Sequence, residues 1–378
     1  MAASPWQFFR GAANVMASDL ARVPVTGVDH EVCGDAHAAN FGLYISPERE
    51  IVFDLNDFDE ARPGPWEWDI ARLAASVAVA ARANGHRKAQ QRRAAERAVR
   101  AFRERLRDIA GAGLIAPWIE LTRLDEAIDA MPTAGDRKLA RQMVAAASRR
   151  TSVRALRRFV DVVDGVPQIR DRPPLIGPIE GALASNIRGA VNRYRSTLPD
   201  RLAGVLGGYD TVAVGHKVVG VGSVGRRDYL VVLEGINSDD ILVLQVKEAG
   251  PSLLDACLPA AGPVEHQGRR VVEAQHLMQA VSDPLLGWTS LEGRDFYVRH
   301  YRDVKGAIDL DKIGPAALEL YAGLCGSTLA RAHARAGQPA LISAYLGGSY
   351  AFDRALGAFA MAYADQTWRD HAAFAASL

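Results

Sequence analysis

The chain has 378 residues, of which 49% are hydrophobic, so it is long enough to bury a large core and to form two lobes. Its 45 basic side chains against 44 acidic ones leave a net charge of +1, which gives no overall field that would favour nucleic acid or a membrane. The sequence has no 18-residue apolar span and no secretory core near Met1, so we expect a cytoplasmic protein.

The first polar cluster lies between Cys33 and Asn40. Asp35 and Asn40 are separated by four residues and follow Gly34, which favours a tight loop. Asp35 would accept the proton of a substrate hydroxyl, and it is our predicted catalytic base. The same spacing also occurs by chance in loops where Asp and Asn cap turns, so it needs support from the residues that follow.

That support comes from a predicted β-hairpin. Residues 40–45 and 51–55 alternate as strands, and residues 46–50 have turn chemistry. The start of the first strand then lies beside the end of the second, which places Asn40 within roughly 5–8 Å of Asp57. Because magnesium takes few protein ligands, one amide and one carboxylate suffice, and we predict Asn40 and Asp57 as its ligands. The roles of Asp54 and Asp59 stay open.

The segment resembles the aminoglycoside and choline phosphotransferase branch of the protein-kinase-like fold. The catalytic loop of that branch, HGDxHxxN, aligns with residues 33–40, and its metal loop, IDFxDAxxGxxxxDLA, falls within residues 53–71. The resemblance implies that Asp35 is the catalytic base, that Asn40 and Asp57 bind metal, and that Asp69 braces the catalytic loop. Cys33 departs from the pattern, because it stands where that branch has histidine.

An arginine-rich helix is predicted from His86 to Asp108, after an alanine-rich helix that Gly85 ends. Its basic residues suggest nucleic-acid binding as an alternative, with loss of affinity in salt as the signature. However, apolar residues follow the helical period at Val99, Phe102, Leu106 and Ile109. The arginines are therefore better explained as the solvated face of a packed helix, and we predict no nucleic-acid partner.

A glycine-rich loop follows at residues 218–225, with the pattern GxGxxG. In a dinucleotide-binding fold the last glycine would open a helix, whereas here it leads into the apolar, β-branched run 229–233. A strand, a glycine loop and a second strand form the phosphate-covering arrangement of kinases. The predicted nucleotide-binding residues of this loop are Gly220, Gly222, Ser223 and Gly225.

Lys247 ends the next predicted strand, residues 241–247, where kinases place the lysine that pairs with the α and β phosphates of ATP. A solvated strand lysine is the alternative. The predicted helix from Arg269 to Ala280 supplies Glu273 as the ion-pair partner of Lys247, in preference to Glu265.

A strong helix is predicted from Pro315 to Ala336, with Gly337 just past its end. In kinases the matching helix immediately precedes the catalytic loop, so the chain is predicted to be circularly permuted. The C-terminal helices must then neighbour the first 30 residues. We expect a helical catalytic lobe at 1–205, a strand-rich nucleotide lobe at 206–304, and helices completing the catalytic lobe at 305–378.

The whole chain also resembles a bacterial family known as domain of unknown function 2252, including the segments Phe8–Ala12 and Arg270–Glu273. Together these patterns predict an α+β, two-lobed, circularly permuted protein-kinase-like fold. The predicted activity is ATP- and Mg²⁺-dependent phosphoryl transfer to a hydroxyl of an unidentified small-molecule acceptor. The alternatives are transfer of AMP and a non-catalytic regulator that binds ATP.

Overall fold

A computed structural model describes residues 1–48, 50–113, 115–119, 124–129, 133–149, 159–163, 166–218, 225–237, 240–260, 262–301 and 308–378. The helices are α1 (Pro5–Gly11), α2 (Ala13–Leu20), α3 (Trp66–Ala83), α4 (Lys88–Ala112), α5 (Ala116–Ile119), α6 (Leu124–Asp129), α7 (Ala134–Arg149), α8 (Gly181–Tyr194), α9 (Asp200–Gly207), α10 (Gln267–Met278), α11 (Pro315–Ala336), α12 (Pro339–Leu346) and α13 (Ala351–Ala376). The strands are β1 (Asp29–Val32), β2 (Phe41–Ile45), β3 (Ile51–Leu55), β4 (Arg62–Pro65), β5 (Val160–Val163), β6 (Val166–Ile169), β7 (Ile176–Pro178), β8 (Asp210–Lys217), β9 (Asp228–Glu234), β10 (Ile241–Glu248), β11 (Gly287–Leu291) and β12 (Arg294–His300). This mixture of helix and sheet agrees with the predicted α+β class.

The helical part is built around α3, which is buried along most of its length and packs against α4 and α13. Helices α4 and α11 approach closely, because a Cβ atom at Gly326 would lie 2.0 Å from the carbonyl oxygen of Ala98. Arg103 on α4 is fully buried and donates two hydrogen bonds of 2.9 Å to Asp353 on α13. The predicted bounds of α11 are confirmed, with Pro315 in its first turn and Gly337 as its C-cap.

The sheet part is an antiparallel sheet whose described strands run in the order β11-β12-β10-β9-β8-β7. One face packs on α8 through Val191 and Tyr194, and the other face carries Lys247. The edge strand β7 comes from residues 176–178, so the sheet includes chain that precedes the expected boundary at 206.

The predicted hairpin is confirmed. Strands β2 and β3 pair in an antiparallel register that sets Phe41 opposite Leu55. Asn40 lies in a short 3₁₀ turn just before β2, and its carbonyl accepts a 2.9 Å hydrogen bond from the backbone N–H of Asn56. The two ends of the hairpin therefore meet where the polar residues cluster.

The first 30 residues neighbour the C-terminal helix. The Tyr363 hydroxyl donates to Asp19 at 2.9 Å, and the His371 ring nitrogen lies 3.0 Å from the carbonyl of Ala2. The N-terminal segment therefore packs against the last helix of the chain. None of the helices in the described ranges is both long enough and apolar enough to cross a bilayer.

Candidate functional site

Helix α3 holds the loop that contains Asp35. Asp69 is buried and accepts hydrogen bonds from the backbone N–H groups of Cys33 and Gly34, at 2.7 and 2.9 Å. Two turns further on, Ser76 accepts a 2.8 Å hydrogen bond from the N–H of Ala38. These contacts fix the loop backbone on one face of the helix, because side chains spaced by three to four residues share a face.

Arg72 lies between these two positions and contacts Asp35 directly. Its Nε donates to Asp35 Oδ1 at 2.9 Å, and its Nη2 donates to the carbonyl of Phe9 at 2.7 Å. The other carboxylate oxygen of Asp35 lies 3.7 Å from His37 Nε2, and burial lowers the pKa of His37. The Asp35 side chain retains 23% exposure, so its carboxylate is oriented by Arg72 and still reaches solvent.

Asn40 joins the Asp35 loop to the loop after β3. Its side-chain amide nitrogen donates to the carbonyl of Asp35 at 3.2 Å and to the carbonyl of Asp57 at 3.0 Å. These contacts turn the amide oxygen of Asn40 away from both carbonyls. The Asp57 side chain is half exposed.

Lys247 reaches this loop from the sheet. Its Nζ lies 2.7 Å from Asp59 Oδ2 and 3.8 Å from Asp57 Oδ2. Tyr297, the neighbour of Lys247 on β12, donates its hydroxyl to Asp59 Oδ1 at 3.0 Å. Burial lowers the pKa of Lys247, but the negative charges of Asp57 and Asp59 outweigh this effect, and the net pKa is well above its ordinary value. The ammonium group is therefore charged and held at the loop.

Two arginines also hold the loop of residues 57–61. Arg226, directly after the positive-φ Gly225, lies 3.4 Å from Asp59 and 3.5 Å from Glu60. Arg270 on α10 donates to the carbonyl of Asp59 at 2.7 Å and to the carbonyl of Ala61. The end of the glycine loop and the helix beside the sheet thus both contact the loop that carries Asp57.

Glu273 is placed differently from the sequence prediction. Its carboxylate accepts a 2.7 Å hydrogen bond from Arg269, one turn earlier on α10, and its side chain is 59% exposed. Glu265 also lies near Arg269, at 3.7 Å. The carboxylate that contacts Lys247 most closely is instead that of Asp59. Asp59 lies in a loop, two residues after Asp57, and not on a helix. The predicted residues Gly220, Gly222 and Ser223 lie outside the described residues.

Asp54, whose role stayed open in the sequence, is fully buried. It accepts 2.8 Å hydrogen bonds from Arg331 on α11 and from the backbone N–H of Ala280. Asp54 therefore ties β3 to α11 and to the end of α10 and does not face the Asp35 loop.

Sequence reasoning missed Arg72, Arg226 and Arg270. Only Arg72 leaves a local signal, because it is spaced three residues from Asp69 and four from Ser76 in the middle of a helix whose other residues between 70 and 81 are apolar. The partners of Arg226 and Arg270 in the loop of residues 57–61 lie more than 100 residues away along the chain.

Glu60 gives the site a measurable pH dependence. Burial raises the pKa of its carboxyl from 4.5 to about 7, against the opposing hydrogen bond from the N–H of Leu253 and the charge of Arg226. The folded protein therefore holds this proton more tightly than the unfolded chain does, and wild type loses stability as the pH rises from about 4.5 to about 7. Glu60→Gln removes this dependence, so the variant should gain up to about 3 kcal/mol relative to wild type between about pH 4.5 and pH 8.

Urea unfolding of both proteins across that pH range measures the gain. Glu180→Gln serves as the control, since Glu180 is exposed and its side chain does not cap α8. A difference between wild type and Glu60→Gln that stays constant with pH would contradict this account of Glu60.

Within the described residues, no three or more His, Cys, Asp or Glu side chains gather as a metal site. A magnesium site needs fewer protein ligands than that, because the ion keeps water ligands and accepts phosphate oxygens. The half-exposed carboxylate of Asp57 and the amide oxygen of Asn40 are donors of the kind it takes.

Comparison with known proteins identifies the family. The chain belongs to the family described as uncharacterized proteins conserved in bacteria, DUF2252, whose sequence profile matches residues 1–377. No curated protein and no solved structure matches the chain. The family description names no reaction, so only the geometry of the site bears on function.

Proposed function

We propose that the protein is an ATP- and Mg²⁺-dependent phosphotransferase that acts on a hydroxyl of a small-molecule acceptor. The observation that carries the proposal is the contact between the two parts of the fold. Lys247 of the sheet lies 3.8 Å from Asp57, and Asn40 links the Asp57 loop to the Asp35 loop through two backbone carbonyls. A proton acceptor, two magnesium donors and a phosphate-binding cation are the parts that phosphoryl transfer uses.

In this mechanism Asp35 accepts the proton of the acceptor hydroxyl as its oxygen attacks the γ-phosphorus of ATP. The bond from that phosphorus to the bridging oxygen breaks, and ADP leaves. Arg72 orients Asp35 through the 2.9 Å hydrogen bond, so one carboxylate oxygen is held while the other stays available to the hydroxyl.

Lys247 supplies positive charge for the phosphates, and Arg226 adds a second cation beside the glycine loop. Asn40 and Asp57 would hold magnesium, whose charge supports the phosphates when it is bound. Asp69 and Ser76 contribute by fixing the backbone around Asp35. Catalysis on this proposal consists of positioning and charge stabilisation.

The test is transfer of label from γ-labelled ATP, with magnesium, to compounds in a cell metabolite extract. Wild type should label a product, and Asp57→Ala should not, because that variant loses the carboxylate proposed to hold magnesium. Asp29→Ala is the matched control, since Asp29 is an exposed aspartate on β1 and should retain transfer.

Calorimetric titration with ATP separates binding from chemistry. ATP binding should weaken when magnesium is removed and in Asp57→Ala, and binding that is indifferent to both would contradict the metal assignment. Release of labelled pyrophosphate with an unlabelled product would indicate that the protein transfers AMP and not a phosphoryl group. Failure of wild type to bind ATP would contradict the whole proposal.

A further inference from the structure

A cavity of about 690 Å³ lies beside α10, on the side of the fold where β1 and β4 pair. Its volume falls within the roughly 300–1,000 Å³ typical of small-molecule sites. Neither Asp35 nor Lys247 lines it, so it is separate from the site proposed for phosphoryl transfer. Part of its wall is apolar, formed among others by Pro63, Val264 and Leu277.

The arginines on its wall already have partners. Arg62 donates to Asp255 at 2.6 Å and to the carbonyl of Pro259 at 2.7 Å. Arg269 is paired with Glu273.

Arg270, the third arginine of the wall, is committed to backbone carbonyls of the loop that carries Asp57, including that of Asp59. An anionic ligand would have to compete with all of these contacts. The cavity is therefore poorly suited to a phosphate or a carboxylate.

Glu31 is the exception on this wall. It alternates along β1 with the buried residues His30 and Val32, and it is paired across the sheet with Pro63 of the cavity wall, so its side chain faces the cavity. Among the described residues, none donates a hydrogen bond to its carboxylate or lies within ion-pair distance of it.

The charges that act on Glu31 come from three of the elements around it. Burial, the largest effect, raises its pKa, Arg270 on α10 and Arg62 on β4 lower it, and Asp69 on α3 and Glu273 on α10 raise it, so that the net pKa is about 7. A carboxylate in this position is costly to ionise, because the two arginines are committed to other partners and offset its lost hydration only in part. A ligand cation would provide that compensation.

We infer that the cavity is a binding site for a small organic cation with an apolar body, whose ammonium group binds the Glu31 carboxylate while its body packs on the apolar wall. This inference does not depend on the proposed phosphotransferase activity, because it concerns only the binding of a ligand to this cavity.

The test uses 2-phenylethylamine as the probe and 2-phenylethanol as its neutral match, each titrated calorimetrically into the full-length protein. Wild type should bind the amine more tightly than the alcohol. Glu31→Gln keeps the shape and removes the charge, so it should weaken amine binding by about 10-fold to 100-fold. Glu180→Gln, at an exposed residue that does not line the cavity, should bind as wild type does.

Two further measurements address the same site. Because binding requires ionised Glu31, amine affinity should be about tenfold higher at about pH 8 than at about pH 6. Ala260→Trp, at an exposed position of the cavity wall, should block binding without disturbing the core. Equal binding of amine and alcohol, amine binding unchanged in Glu31→Gln, or no amine binding by wild type would each overturn the inference.

Discussion

Asp35→Asn should lower the rate of label transfer by about 10²–10⁴-fold, the contribution typical of a positioned proton acceptor. The amide keeps the size of the side chain and still accepts a hydrogen bond from Arg72 through its oxygen, so the loop should stay in place. Because Asp35 is not among the proposed nucleotide or magnesium ligands, ATP affinity should be unchanged. Single-turnover transfer and calorimetric ATP binding measure the two quantities.

Asp29→Asn is the control for this substitution, since Asp29 is exposed and lies outside the site. It should leave both the rate and the affinity at their wild-type values. A full transfer rate in Asp35→Asn would remove Asp35 from the mechanism, and a parallel loss of ATP affinity would indicate a binding residue rather than a proton acceptor.

Gly34→Ala should destabilise the protein by about 2–5 kcal/mol. Gly34 has φ of +79°, a conformation that alanine adopts at a cost, and a Cβ atom there would lie 2.2 Å from the carbonyl oxygen of Glu60. That carbonyl cannot retreat freely, because it accepts a 2.8 Å hydrogen bond from Ser252. Urea unfolding should show the loss, and label transfer should fall with it, because the Asp35 loop must shift.

The chain contains a matched control for this substitution. Gly27 has φ of +75°, but nothing lies within 4 Å of the position that its Cβ would occupy. Gly27→Ala should therefore cost only the conformational part, about 1–2 kcal/mol, and should retain activity. Equal losses in the two variants would show that the contact with Glu60 contributes nothing.

Local patterns in the sequence predicted the elements around the site. The hairpin of β2 and β3 followed from alternation and turn chemistry, and α11 followed from its flanking proline and glycine. The ends of a hairpin must meet, so the proximity of Asn40 and Asp57 was also predictable. These features depend on residues that are close together in the chain.

The ion pairs of the site could not be predicted in the same way. The contact of Asp59 with Lys247 and that of Asp54 with Arg331 join residues 188 and 277 positions apart. No short-range pattern specifies such a partner. Glu273 was predicted as the partner of Lys247, whereas Asp59 makes the contact. The sequence alone does not distinguish these two acidic residues.

Asp69 also has a distant partner, because it lies 3.0 Å from His333, 264 positions later. During translation, Asp54, Asp59 and Asp69 emerge from the ribosome long before the basic residues that they contact. A nascent chain that ends before the sheet would have to bury Asp54 and Asp59 without those cations, which is strongly unfavourable. The N-terminal 205 residues therefore should not become stable during translation, and the native core should form only after α11 has left the exit tunnel.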